Sequence, residues 1–478
     1  MRLVNVIKTY NQEITFILFC AGIIFYGLGD SIGKNFNAQT FFHIGGLIFF
    51  ICNYKKLSWN DLKNIKIPLI CFALVLLLGL CTLFDTITPN TMSQMFKKIN
   101  SHILGWIALF FIMFFYVIHT SKNKVNILLL LFGLMCAIDV IATIYVWVSN
   151  HFQTHMTPLF FFHIIALNVW LLGASAICVV GMATTHNIKI KLLFALGLLF
   201  CFMAIIGNGE RSFLLGFFAL LLSPFFIWHY KYKIYVVFLI LLISIPSIYG
   251  IYTYSKTLSD RYNFGHMIDN VSTIWQSAPI EMGQYDAYCF DDTQKWLQCS
   301  SQSLAFGKNE IILEHSAITR LAMYKSALHL IMKEPFKPHI AGATSVGEYL
   351  RSYYGKDNPY RIYIDTSVYS NAENVYGFGH IHSTPLSILI EYGVFGFLTI
   401  VFFNFYILYI ALKTSYKETH TQLSFVSKCV SVFLIGLWVQ VQFDVMHPVM
   451  LKSFFLVFAL YFALIHRSMC NEDFAHNK

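Results

Sequence analysis

The sequence predicts an all-α polytopic membrane protein that crosses the bilayer about twelve times and carries one large polar insert late in the chain. Three observations predict it. Only 12% of the 478 residues are charged and 57% are apolar, whereas ordinary globular domains carry about 25% charge. Apolar runs of roughly 17–25 residues recur, the length that crosses a hydrocarbon core of ~30 Å. Lysine and arginine also collect on alternate loops, as cytoplasmic segments of membrane proteins do.

Taken in order, the spans fall near 13–29, 39–53, 67–84, 101–119, 125–148, 159–183, 192–207, 212–229, 234–254, 385–412, 423–442 and 449–466. The first apolar run, Ile14 to Leu28, has no clear small-x-small cleavage site and reads as a retained helix rather than a signal peptide. With the N-terminus inside, the inner segments hold sixteen Lys and Arg, from Arg2 and Lys8 to Arg467 and Lys478. The short outer segments hold four: Lys34, Lys97, Lys98 and Arg211. Both termini are therefore expected inside. The net charge of +9 is mostly this topological bias. The basic residues are spread as loop anchors rather than clustered on one element, so no nucleic-acid module is expected.

The chain divides into 1–254 with nine spans, 255–384 as the outer insert, and 385–478 with three spans and a short tail. The insert is not a linker. In AITRLAMYKSALHLIMK, residues 317–333, the residues Ile318, Leu321, Ala322, Met323, Leu328, Leu330 and Ile331 recur near helical spacing. Pro335 and Pro338 stop that helix. Val346 to Tyr354 reads as a second short helix, and 355–379, rich in Gly, Asn, Asp, Ser and Tyr, as loop. Nine of the eleven cysteines lie in or near spans or on the inner side and read as packing residues. Cys289 and Cys299 stand in the outer insert ten positions apart. A disulfide is expected there, with two reduced thiols as the alternative. No His or further Cys at zinc-like spacing accompanies them, so no metal is expected.

Ionisable groups near the membrane core are functional candidates. Arg211, in IIGNGERSFLLGFF, tops the eighth span after a turn made tight by Gly207 and Gly209. Two readings stand: an arginine paired with Glu210 or snorkelling to the interface, or a phosphate-binding guanidinium. Arg320 opens the helix of the insert and draws its weight from its company. In GHIHSTPLSILIEYGVFGFL a polar turn with His380 and His382 runs straight into a span. Histidine takes a proton from a hydroxyl near neutral pH. Gly393 and Gly396 allow close helix approach behind it. His380 either orients its neighbour or is spare. Asp444, in VQFDVMHP, is a weaker candidate that orients a base or pairs with an arginine. A turn of this kind suits chemistry between a lipid-borne substrate and a second, water-soluble or lipid-anchored partner.

Other chemistries lack their motifs. There is no P-loop, no G-x-G-x-x-G after a strand, no H-E-x-x-H and no D-x-D. Nine spans, an insert and three spans also lack the matched halves usual in ion-coupled transporters.

These residues together resemble the bacterial O-antigen ligase family and its superfamily. The pattern His-[Asn/Ser/Gln], nine residues, Gly-x-x-Gly is met by His382, Ser383, Gly393 and Gly396. The arginine that opens an outer-leaflet span is similar to Arg211. The Arg-Leu-x-Met-Tyr helix followed by proline is met by Arg320, Leu321, Met323, Tyr324 and Pro335. Ser383 stands where Asn is common, and Glu210 where Thr is often found. The resemblance implies a fold similar to the GT-C glycosyltransferases, in the bacterial inner membrane, with the active site facing the periplasm. It implies inverting, metal-independent glycosyl transfer without a cofactor. The donor is a glycan on undecaprenyl pyrophosphate and the acceptor is lipid A-core. Arg211 and Arg320 hold the pyrophosphate and His382 is the base, with His380 and Asp444 as further substrate-binding candidates. O-antigen polymerase and protein O-oligosaccharyltransferase are the neighbouring readings. A polysaccharide flippase, which needs no base, is the reading from another class.

Overall fold

A chain crossing hydrocarbon must satisfy its backbone internally, and a helix does so within one segment. In the computed structural model the apolar runs are accordingly helices. The described residues are 2–29, 31–32, 36–85, 87, 91–153, 156–158, 164–228, scattered positions between 233 and 253, 271–272, 275–283, 315–342, 346–355, 357–362, 364–365, 375–376, 380–417, 421–444, 446 and 448–476. Most of the span expected at 234–254, and both Cys289 and Cys299, lie outside them.

The main helices in order are α1 (Arg2–Gly27), α2 (Ala38–Asn53), α3 (Lys66–Cys81), α4 (Met92–Ile99), α5 (Gly105–His119), α6 (Lys122–Ser149), α7 (Ile164–Thr184), α8 (Ile188–Asn208) and α9 (Arg211–Ile227). Then come α10 (His315–Lys333), α11 (Val346–Tyr353), α12 (Thr384–Lys417), α13 (Thr421–Gln440) and α14 (Pro448–His476). Among the described residues, eight helical stretches are long and apolar enough to cross a membrane, and α2 and α9 are shorter apolar helices. The expected first span lies in α1, which is interrupted at Tyr10. Extended structure among the described residues amounts to two antiparallel pairs of two-residue strands.

The chain forms two compact units. The first comprises Met1–Leu76, Ile99–Trp228 and Thr399–Lys478. It is a helical bundle in which α9 packs on α13, α5 on α14, α1 on α2, and α7 on α8 and α13. Rings fill it. Trp106 stacks on Phe455 with centroids 4.0 Å apart, and Phe72 meets Trp106, Phe110, Phe403 and Phe455 edge-on. The lipid-facing side is equally apolar: Leu192, Leu193, Leu196 and Leu199 of α8 are all exposed, as expected of a helix whose solvent is hydrocarbon. Between α9 and α13 small residues bring backbones together. A Cβ on Gly216 would lie 2.7 Å from the carbonyl oxygen of Gly436.

The second unit comprises Leu77–Lys98 and His229–Leu398. Its core gathers Ile318, Ala322, Met323, Ala327 and Leu330 of α10, Val346, Tyr349 and Leu350 of α11, and Ile340, Ile381 and Ile390. The apolar stripe read on 317–333 is thus the inner face of α10, with Leu321, Leu328 and Ile331 half-buried at its edges. A polar knot ties in the short segment 77–98. The Asp85 carboxylate is buried; it accepts from the Tyr349 hydroxyl at 2.6 Å and faces His339 Nδ1 at 3.4 Å and Lys337 Nζ at 3.7 Å. Glu334, five residues before His339, accepts from Tyr353 at 2.6 Å and pairs with Lys337 at 3.2 Å.

Candidate functional site

Within the first unit the site is built around a tight helix junction. α8 ends at Asn208, and Gly209 follows in the left-handed region with φ 78°, its N–H donating to the Ile205 carbonyl at 3.2 Å. That conformation favours glycine, which has no Cβ to clash there. Glu210 is then the N-cap residue and Arg211 the first residue of α9. Gly207 serves a different end: a Cβ there would sit 2.7 Å from the Trp147 ring. Arg211 is exposed at a helix start, where free N–H groups and the helix dipole favour an anion. Beside it, Ser212 Oγ lies 3.4 Å from Asp444 Oδ2. Asp444 is buried, at 2% exposure, just beyond the end of α13.

Within the second unit, Arg320 and His382 are joined through one tyrosine. Tyr324, one helical turn after Arg320, donates its hydroxyl to the main-chain carbonyl of His382. The tyrosine of the Arg-Leu-x-Met-Tyr motif therefore anchors the histidine turn to the helix that carries the arginine. His382 and Arg320 are each half-buried. The rings of His380 and His382 lie 4.6 Å apart between centroids. Ser383 is buried; its N–H donates to Ile381 and its carbonyl accepts from Ser387 N at 3.0 Å, closing the first turn of α12. Pro385 fits there because the first helical turn needs no donor from it.

The paired glycines act otherwise than expected. Close helix approach is the role their spacing suggests, but Gly393 breaks α12 with φ 65° and ψ −176°. What approaches is backbone: an added Cβ would lie 2.9 Å from both C and O of Phe336. Val394 N–H donates to the Pro335 carbonyl at 2.8 Å, and His339 N–H to Ile390 at 3.1 Å. The kink also tightens the next turn, so that a Cβ on Gly396 would collide with Tyr392 at 2.1 Å. The motif thus seats the segment after α10 on the kinked helix. Glu391 adds a further tie, its Oε2 accepting from Gly342 N–H at 2.9 Å.

The first unit therefore holds Arg211 and Asp444, and the second holds Arg320, His380, His382, Ser383, Gly393 and Gly396. Asp85, Glu391 and the anchoring role of Tyr324 were not read from the sequence. Two further buried polar residues, Asn168 in α7 and Gln440 in α13, were visible only as amides inside apolar runs. Among the described residues no group of three or more His, Cys, Asp or Glu side chains is arranged to hold a metal ion.

Fold and site together define a multi-pass α-helical membrane protein in which one compact unit carries Arg211 and the other carries Arg320, His380 and His382. Residues 196–401 match the family model described as O-antigen ligase, which makes this part of the chain an O-antigen ligase family domain. Such a domain implies a glycosyltransferase-like ligase or polymerase that acts on lipid-linked glycan. Arg211, Arg320 and His382 all lie inside the matched segment, and Asp444 lies beyond it. A comparison with curated proteins gives no match.

Proposed function

We propose that the protein is an O-antigen ligase: it transfers a glycan from undecaprenyl pyrophosphate to lipid A-core at the periplasmic face of the bacterial inner membrane. The observation that carries this reading is the family match over 196–401, which encloses all three residues whose chemistry the reaction needs. The acceptor hydroxyl oxygen attacks the anomeric carbon as the bond from that carbon to the pyrophosphate oxygen breaks. The hydroxyl proton passes to His382 acting as general base. Direct displacement inverts the anomeric centre. Pyrophosphate is a good leaving group, so stabilising its developing charge is the main demand, and Arg211 and Arg320 are the cations assigned to it. No metal or cofactor is assigned a role. His380 and Asp444 are assigned to substrate binding, and both termini to the cytoplasm.

The test is deletion of the gene, followed by electrophoresis of the lipopolysaccharide and a blot for carrier-linked glycan. Bare core together with long glycan accumulated on the carrier is the expected outcome. Core bearing a single repeat would make the enzyme a polymerase instead. Complementation with His382→Ala, Arg211→Ala or Arg320→Ala is expected to fail while each protein inserts normally. Transfer at the wild-type level by any of them removes that residue from the mechanism, and a fully active His382→Ala would favour a flippase.

A further inference from the structure

α7 is buried on every side from Leu167 to Leu172, yet it carries an amide in that stretch. Asn168 is 0% exposed, and neither its Oδ1 nor its Nδ2 has a hydrogen-bond partner among the described residues. Gln440, the last residue of α13, repeats the situation: it is 0% exposed, and neither Oε1 nor Nε2 has a partner among the described residues. Polar atoms buried without partners are costly, and more so where the surrounding solvent is hydrocarbon. Two complete amides in that condition, both within the first unit, point to a ligand that completes them.

The packing puts both at one end of the bundle. Cys429 Sγ of α13 meets the Ala176 carbonyl of α7 at 4.0 Å. Eight residues along each helix from that contact, about 12 Å at the helical rise, stand Asn168 on α7 and Leu437 on α13. Gln440 follows three residues later on the face of Leu437. A Cβ at Gly216 of α9 would sit 3.0 Å from Gln440 Cβ. One turn farther along, Ser212 meets Asp444, and Arg211 opens α9. Going toward the Arg211 end, the order is therefore Gly216 with Gly436, then Gln440, then Ser212 with Asp444.

We propose that Asn168 and Gln440 form a sugar subsite that holds the ring attached directly to the pyrophosphate of the lipid-linked donor. This rests on the reading that Arg211 holds that pyrophosphate. The chemistry favours a sugar over a second phosphate or a cation. Each amide offers two donors and an acceptor without net charge, the complement of hydroxyl and acetamido groups that both give and accept hydrogen bonds. A site built to hydrogen-bond hydroxyls also discriminates strongly against a ligand lacking them.

The test compares two probes on purified full-length protein in nanodiscs: bare polyprenyl pyrophosphate, and polyprenyl pyrophosphate carrying one N-acetylhexosamine. Wild type is expected to bind the sugar-bearing probe at least about tenfold more tightly. Asn168→Leu and Gln440→Met keep side-chain volume, and each is expected to bind the bare probe as wild type does while losing most of the sugar's contribution. Both variants are also expected to unfold at a higher temperature, since each removes an unsatisfied buried amide. Unchanged sugar discrimination in both variants overturns the subsite and leaves the pyrophosphate reading standing. Undiminished binding of the bare probe by Arg211→Ala defeats the pyrophosphate reading itself. A wild type that binds both probes equally, or neither, overturns the subsite.

Discussion

Tyr324 donates its hydroxyl to the carbonyl of His382, and it sits one turn from Arg320 on the same helix. A single hydrogen bond thus couples the position of the proposed base to that of a proposed cation. Misplacing a catalytic group by about 1 Å can cost a hundredfold in rate. Tyr324→Phe is expected to lower kcat by about tenfold or more with KM nearly unchanged, measured by transfer from a synthetic lipid-linked glycan. A purely structural tyrosine would instead lower the unfolding temperature and leave kcat intact. The residue type was legible in the sequence, because the Arg-Leu-x-Met-Tyr pattern singles Tyr324 out. Its partner was not, since the acceptor is a main-chain atom 58 residues away and no side-chain pattern announces a carbonyl.

At the scale of elements, the second unit is held by a buried polar knot as well as by its apolar core. Burial pushes the His339 imidazole below its ordinary value, and Lys337 adds to this, outweighing the opposing pull of Glu334 and Asp85. The Tyr353 hydroxyl, more than the nearby Lys337, holds Glu334 below the usual carboxylate range. Both shifts act in the same direction. A group depressed in the folded state binds protons more readily when unfolded, so its contribution is full above the unfolded value and declines as pH falls through the folded one. For His339 that decline begins near 6.5, and for Glu334 near 4.5. The unfolding temperature of the full-length protein is expected to fall between about pH 7 and pH 5, and to fall less in His339→Leu. An equal slope in that variant would show that His339 does not drive the decline. Helix α10 was readable from its apolar spacing and the prolines that follow it, and α11 as a short helix over Val346 to Tyr354. The knot was not, because Asp85 and Tyr349 stand 264 positions apart and neither looks unusual in its own neighbourhood.

For the whole molecule, the membrane class was legible because hydrocarbon leaves so few options: apolar runs of sufficient length must be helices, and eight such stretches are seen among the described residues. The kink at Gly393 was hidden, since two glycines three apart serve helix packing as readily as a break. The proposed orientation rests on sixteen basic residues in the segments expected inside against four in those expected outside. Reporter domains that are active only in the cytoplasm are expected to work at both the N- and C-terminus and to be silent when inserted in 255–384. Activity from the insert would invert the topology and with it the face on which transfer occurs.

Because Tyr324 holds the turn through the peptide oxygen at position 382, the grip does not depend on which side chain that residue carries. The backbone around His382→Ala is therefore expected to keep its shape, leaving an imidazole-sized hollow rather than a collapsed loop. Free imidazole added to the purified variant is expected to occupy that hollow and restore part of the transfer rate. The recovered activity should saturate with imidazole and follow the titration of the added base, and methylated imidazoles too large for the hollow should fail.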